Sequence, residues 1–292
     1  MVFTPDWVNS EWAQFEALML QTQDPIGLRK RILPLMLIDC LLPLRLKFFT
    51  HAGFKNKNDW EAQLERLISQ VQIDFAAPAP IQAEGLFREA EAFWKERRPE
   101  YHYLYSLQGF WFCDLLLSQG QYQEVQKRAN QTLEWVTQQN WLLDIALDKL
   151  SLGRAFLLQA QTETTDPLLC ASSFNQARDY LHQAVADLRE ASSQDYLPLG
   201  LLARAACNRA QNEFALASAD LEEAREIAER GEMKLFLADY HLEACKLQVA
   251  SGKRQEAKEN LAIAKEMIEK MGYGRRKPEV EALRRELEEL KI

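Results

Sequence analysis

One short figure recurs along the chain and constrains its fold more than any other feature. A small residue is followed by a larger apolar residue four positions on, then by a second small residue three further. It reads Ala177-Leu181-Ala184, Ala217-Leu221-Ala224 and Ala257-Leu261-Ala264, offset by 40 residues each time. Val125-Ala129-Thr132 follows the turn Gly120-Gln121-Tyr122 at the spacing by which Ala257 follows Gly252-Lys253-Arg254, and Ala83-Phe87-Ala90 lies 42 residues earlier. The 52-residue step from Val125 to Ala177 predicts a longer helix and a polar loop over residues 162–173.

Positions i, i+4 and i+7 share one face of a helix. Small residues at the outer two places let a second helix approach closely, and the middle residue fills the gap between them. Each helix carrying the figure is preceded by another apolar one, over residues 59–74, 103–119, 141–160, 199–210 and 235–250. The chain therefore reads as all-α, with five helix-turn-helix pairs. One pair cannot bury its apolar faces alone, so the pairs must stack. Only 11 glycines and 10 prolines occur in 292 residues, too few turn formers for a many-stranded sheet.

Beyond the last pair, Gly272-Tyr273-Gly274 is a helix stop and Pro278 suits a first helical turn. Val280, Leu283, Leu287 and Leu290 then share one face, as expected of a capping helix over the end of the stack. Residues 1–57 lack the repeat and are expected to be a separate helical extension, with helices near 10–22 and 26–50. The second is bent by its prolines, residues 51–59 are a linker, and 58–292 form the repeat domain. Trp7, Trp12 and Phe15 make an aromatic cluster that either packs on the first repeat or docks something else.

The residue pattern then acquires a family. The helix-turn-helix spacing, Leu152-Gly153 followed by Phe156, and the alanine figure resemble tetratricopeptide repeats, with a period longer than the usual one. The strings FREAEAFWKERRPEYHYLYSLQGFWFCDLLL, TLEWVTQQNWLLDIALDKLSLGRA, LPLGLLARAA, EIAERGEMKLFLADYHLEACKL and MGYGRRKPEVEAL resemble the C-terminal repeat region of bacterial NACHT and related STAND signalling NTPases. The resemblance covers residues 81–290. It implies a right-handed superhelix that serves as the sensor or interaction arm of a bacterial signalling or defence system. Gly274 departs from that pattern, which places a histidine before the two arginines.

Under that alignment the first helix of each pair lines the inner curve. The side chains expected to face a partner are Phe110 and Asp114, Leu150 and Arg154, Leu202 and Arg209, and Asp239 and Lys246. Arg154, Arg209 and Lys246 would form a basic track for an acidic peptide or carboxylate terminus, with Phe110, Leu150 and Leu202 as apolar anchors. The alternative for any one of them is plain packing, or pairing with an acid from the next helix. Arg275, Arg276 and Lys277 form a second basic patch, suited to a phosphate or acidic partner, or simply to the helix dipole beside it.

Several function classes are disfavoured. A net charge of −8 is wrong for general nucleic-acid binding. Ser251-Gly252-Lys253 lacks the upstream glycine of a phosphate-binding loop, and no HExxH, GxGxxG or GxSxG is present. His241 and Cys245 share a helical face, but structural zinc takes four ligands, so neither metal nor cofactor is expected. The five cysteines include no CxxC pair, and residues 1–24 do not read as a signal peptide, which points to the cytoplasm. The apolar stretch 32–46 contains Pro34, Asp39, Pro43 and Arg45 and is too short to span a bilayer, leaving burial, or attachment to a membrane surface. The leading expectation is a non-enzymatic scaffold that binds a protein or peptide. A small-molecule-sensing repeat domain and an enzyme on a helical scaffold are the alternatives.

Overall fold

Ten helices account for almost all of residues 80–289. The computed structural model describes residues 2–3, 35–36, 52–53, 80–162 and 166–289, and the chain divides into two units, Met1–Ala77 and Pro78–Ile292. In the first unit the described residues are three two-residue strands, β1 (Val2–Phe3), β2 (Leu35–Met36) and β3 (Ala52–Gly53), paired in parallel in that order. Leu35 stands opposite both Val2 and Ala52. The helix expected over 26–50 is therefore not continuous through Leu35–Met36. Pro34 just before them has no amide hydrogen and favours extended backbone at its predecessor, against a helix there. The remaining expectations for residues 1–79, including the aromatic cluster and the first helix of the first pair, lie outside the described residues.

The helices of the second unit are α1 (Pro80–Arg97), α2 (Ser106–Ser118), α3 (Tyr122–Gln138), α4 (Leu142–Thr162), α5 (Pro167–Glu190), α6 (Leu197–Ala210), α7 (Phe214–Arg230), α8 (Lys234–Ala250), α9 (Arg254–Met271) and α10 (Lys277–Glu289). A 3-10 turn, Gly274–Arg276, joins the last two. Four complete pairs, α2/α3, α4/α5, α6/α7 and α8/α9, match the expected helix-turn-helix units. The loop expected over 162–173 is shorter than that. Asp166 caps α5, its carboxylate accepting from the amides of Leu168 and Leu169, and Pro167 takes the first helical position.

A common turn ends most of these helices. Gly120, Asn140, Ser192, Asn212, Glu232, Gly252 and Gly272 all have left-handed φ, between 51° and 76°. At each, its own amide bonds back three residues and the next amide bonds back five. Glu213 N to Asn208 O is 2.8 Å, and Tyr273 N to Ile268 O is 2.9 Å. These paired bonds satisfy two carbonyls that a helix end otherwise leaves bare.

The alanine figure is the packing seam. Val125, Ala129 and Thr132 in α3, Ala177, Leu181 and Ala184 in α5, Ala217, Leu221 and Ala224 in α7, and Ala257, Leu261 and Ala264 in α9 are all buried. In α1 the figure is not carried through. Ala83 and Phe87 are half-buried and Ala90 is exposed, because the backbone of α1 lies close to α2 alone among the described helices, with Glu91 reaching Arg128 of α3. The close approach has a steric signature at Gly153, where an added Cβ would lie 2.6 Å from Leu181 Cγ. That clash explains the Leu152-Gly153 pair read from the sequence.

Each helix packs on the next along the chain. The first helices of successive pairs also pack on one another, α2 on α4, α4 on α6, and α6 on α8, with α8 then meeting α10. Among the described residues the backbones of the second helices α3, α5, α7 and α9 do not approach one another as closely, and α5 meets α7 through the Arg189–Glu223 ion pair. The last core cluster joins Leu242 and Cys245 of α8 and Ile268 of α9 to Val280, Leu283 and Leu287 of α10. So α10 covers the apolar end of the stack, as the capping reading requires.

Candidate functional site on the first helices

The first helices present polar side chains that recur at roughly one repeat's spacing, and these meet. Arg154 Nη2 donates to Asp114 Oδ1 at 2.6 Å, from α4 to α2. Arg209 Nε donates to Glu243 Oε1 at 2.6 Å, from α6 to α8. Lys246 lies 3.3 Å from Glu243 Oε2 and 2.5 Å from Glu279 Oε1. A residue on one first helix thus neutralises its counterpart on the next.

The 3-10 turn joins this network from far along the chain. Arg275 Nη1 donates to Asp114 Oδ2 at 2.7 Å, although the two are 161 residues apart. Arg276 Nε donates to Asp239 Oδ1 at 2.7 Å, and the Tyr273 hydroxyl lies 3.3 Å from Asp239 Oδ2. Arg276 also reaches Glu279. Arg275 and Arg276 are therefore turned onto the first-helix face, while Lys277 is exposed at the start of α10.

The electrostatics follow from burial set against close charges. Burial alone would raise the Asp114 carboxyl, but Arg154 and Arg275 outweigh it and hold the group well below the usual carboxylate range. Burial likewise opposes charge on Glu279, and Lys246 with Arg276 lowers it in net. Burial works against the Lys246 ammonium, yet Glu243 and Glu279 raise its pKa. Arg276 is raised despite burial, by Asp239 and Glu279. At Asp114, Glu279, Lys246 and Arg276 the net shift thus favours the charged form.

A cavity of about 130 Å³ opens beside this network, where apolar side chains of α4, α6 and α8 such as Leu150, Leu202 and Leu242 mix with charged ones such as Arg154, Glu243 and Lys246. Of the residues expected to face a partner, Leu150, Leu202, Arg154, Asp239 and Lys246 border it. Phe110 and Leu150 belong to the core, each at most 1% exposed, so Phe110 packs with Leu147 and Leu181 and offers little surface. Asp114 and Arg209 lie in the ion-pair network around the cavity rather than on its wall. Reading the sequence missed Glu243 and Glu279. The signal was there, because Glu243 stands 34 residues from Arg209 and Glu279 three after Arg276.

Among the described residues, no catalytic grouping stands out elsewhere. His241 Nδ1 lies 2.7 Å from Asn260 Oδ1, which puts the ring proton on that nitrogen, and burial pushes the imidazole pKa down. Cys245 beside it is buried, and burial pushes its thiol up to about 11, far from the range of a reactive thiolate. Among the described residues no cluster of three metal-ligating side chains exists, and no helix is long and apolar enough to cross a membrane. Compared with known proteins, the chain matches no family model, no curated protein and no solved structure.

Proposed function

We propose that this chain is a protein-interaction scaffold of the tetratricopeptide type, holding a peptide or protein partner against the face formed by its first helices. One observation carries the reading: the backbones of successive first helices approach closely, whereas those of the described second helices do not and meet through long side chains such as Arg189 and Glu223. A two-layer stack that is tighter in one layer bends, with the tighter layer inside. Bending of that kind gives solenoids their concave binding surfaces. The inner layer here carries apolar Leu199 and Leu202 beside Arg154, Asp239, Glu243 and Lys246, a mixture of anchors and charges suited to an extended segment.

The resemblance to bacterial signalling NTPases gives the scaffold a role as sensor or adaptor, with the effector on another chain. A cytoplasmic setting accords with free cysteines at 113, 170, 207 and 245. The test is capture of partners on the immobilised full chain, followed by titration of a recovered partner against wild type and Arg209→Glu. The substitution places a carboxylate against Glu243 and is expected to weaken binding at least tenfold. An affinity unchanged in a variant with native circular dichroism removes the first-helix face from the proposal.

The cavity favours a second reading, in which a small molecule between Leu202 and Lys246 alters the packing of α6 on α8. A thermal-shift screen against metabolites distinguishes it. A flat response across the panel counts against this reading alone.

A further inference from the structure

The first-helix face already has an occupant, and the occupant belongs to the same chain. Asp114 and Asp239 are buried carboxylates, 6% and 7% exposed. Asp239 draws its partners, Arg276 and Tyr273, wholly from the segment after α9. Without that segment Asp239 would be a buried charge with no counter-charge from the first helices, and Asp114 would retain Arg154 only. Such a carboxylate demands a cation, because unpaired charge in a dry site is costly. The face is thus built to receive two adjacent arginines, and Lys246 receives an acid, Glu279, three positions after the second of them.

The segment is held in a way that permits exchange. The side chains of Arg275, Arg276 and Glu279 are 47%, 27% and 24% exposed, so water reaches their ion pairs. Gly272 and Gly274 flank Tyr273, and nothing lies within 4 Å of where either would carry a Cβ. The apolar anchors Val280, Leu283 and Leu287 sit further on, in α10, in a core cluster on which Tyr273 of the turn is only partly buried. The turn and the first residues of α10 can therefore leave the face while the rest of the cap stays docked.

We propose that the first-helix face recognises, in a partner protein, a segment of the form Arg-Arg-Xaa-Xaa-Glu, and that residues 275–279 are a resident copy which the partner displaces. This deepens the scaffold reading and rests on it. It adds the chemistry of the partner: adjacent guanidinium groups for Asp114 and Asp239, and a carboxylate for Lys246.

The probe is a fluorescein-labelled peptide with the sequence of residues 272–281, titrated by anisotropy against the full chain. Arg275→Ala/Arg276→Ala, which empties the face, is expected to bind it at least tenfold more tightly than wild type, whose own turn competes. A peptide with both arginines replaced by alanine should not bind. Should the double variant fail to fold, Glu279→Gln loosens the turn at Lys246 and Arg276 while leaving both arginines in place, and it too should bind the peptide more tightly than wild type. In wild type, excess peptide should speed amide exchange in residues 273–279 and leave the rest of α10, residues 280–289, protected. Absence of binding by a folded variant, or equal binding of the alanine peptide, overturns the proposal. So does a dimer in the emptied variant mixed with wild type, which would make the occupant a second copy. An acidic peptide bound through Arg154 and Arg209, with no response to the arginine peptide, would sink this inference and leave the scaffold reading standing.

Discussion

Asp148 is a buried acid of α4 beside Thr132 of α3, outside the ion-pair network of Asp114 and Asp239. It is 6% exposed on α4, and its Oδ2 has no hydrogen-bond partner. Burial pushes its carboxyl well above the usual range, and Asp144 one turn earlier adds to the shift, while the Thr132 hydroxyl opposes it. The folded chain therefore prefers the protonated form, whereas an unfolded aspartate ionises near pH 4, at about 3.9. The sign is that of a raised pKa: its contribution to stability is complete below the unfolded value and is lost as pH rises through the folded one. Asp148→Asn keeps the shape and cannot ionise. Its melting temperature is expected to exceed that of wild type by several degrees at pH 8, with the gap narrowing as the pH approaches 4. Thermal melts across that range check it, and a gap independent of pH would dismiss the buried acid as the cause. Asp114, on the preceding first helix, has similar burial and the opposite shift. The difference lies in Arg154 and Arg275, not in depth. Sequence alone could not separate the two acids, because the deciding cation on Asp114 comes from 161 residues away.

At the scale of the element, what was legible depended on whether a residue advertises its backbone. Gly120, Gly252 and Gly272 marked turns in the sequence, and each has left-handed φ in the structure. Asn140, Ser192, Asn212 and Glu232 make the same turn with side chains that carry no comparable signal, glutamate least of all. The pairs were found regardless, since the alanine figure reports side-chain packing and not the connection. The same figure could not find Asp166-Pro167, whose capping converts much of an apparent loop into the first turns of α5. Glu232 offers a direct measure of what the turn demands. Its φ of 51° costs a residue with a Cβ about 1 kcal/mol relative to glycine. Glu232→Gly is expected to stabilise the chain by about that amount, and Gly252→Ala, at φ 75°, to destabilise it similarly. Urea unfolding monitored by circular dichroism would show both. Equal midpoints for Glu232→Gly and wild type would mean that neighbouring packing, and not the backbone, sets the turn.

Across the second unit as a whole, the repeats explain most of the contacts and the exception identifies where the stack is coupled over distance. In a stack where each pair touches only its neighbours, an opening at one end should leave the other unaffected. Here the turn after α9 bonds Asp114 on α2, so the last pair and the earliest complete pair share a charge contact. That contact depends on pH in a definite direction. Asp114 and Glu279 are both held below their ordinary pKa by cations, so they stabilise the fold above the unfolded values and cease to do so as pH falls through the folded ones. Acid should accordingly free the turn first, and salt at neutral pH should imitate it in part, because these pairs are open enough to be screened. Arg275→Ala removes the long-range contact while leaving α10 its apolar seat on α8 and α9. Its expected effect is faster amide exchange in two separated places, residues 273–276 and the Asp114 turn of α2, with α5 and α7 between them unchanged. Hydrogen exchange at pH 7 in low salt measures this, and the difference from wild type should shrink in 1 M salt, where the screening length falls to about 3 Å. Faster exchange confined to the C-terminal turn would mean that Arg154 suffices for Asp114 and that the ends of the stack are independent. A uniform rise through α4, α6 and α8 would instead make the first helices one cooperative layer, in which a partner bound at any pair is felt at all of them.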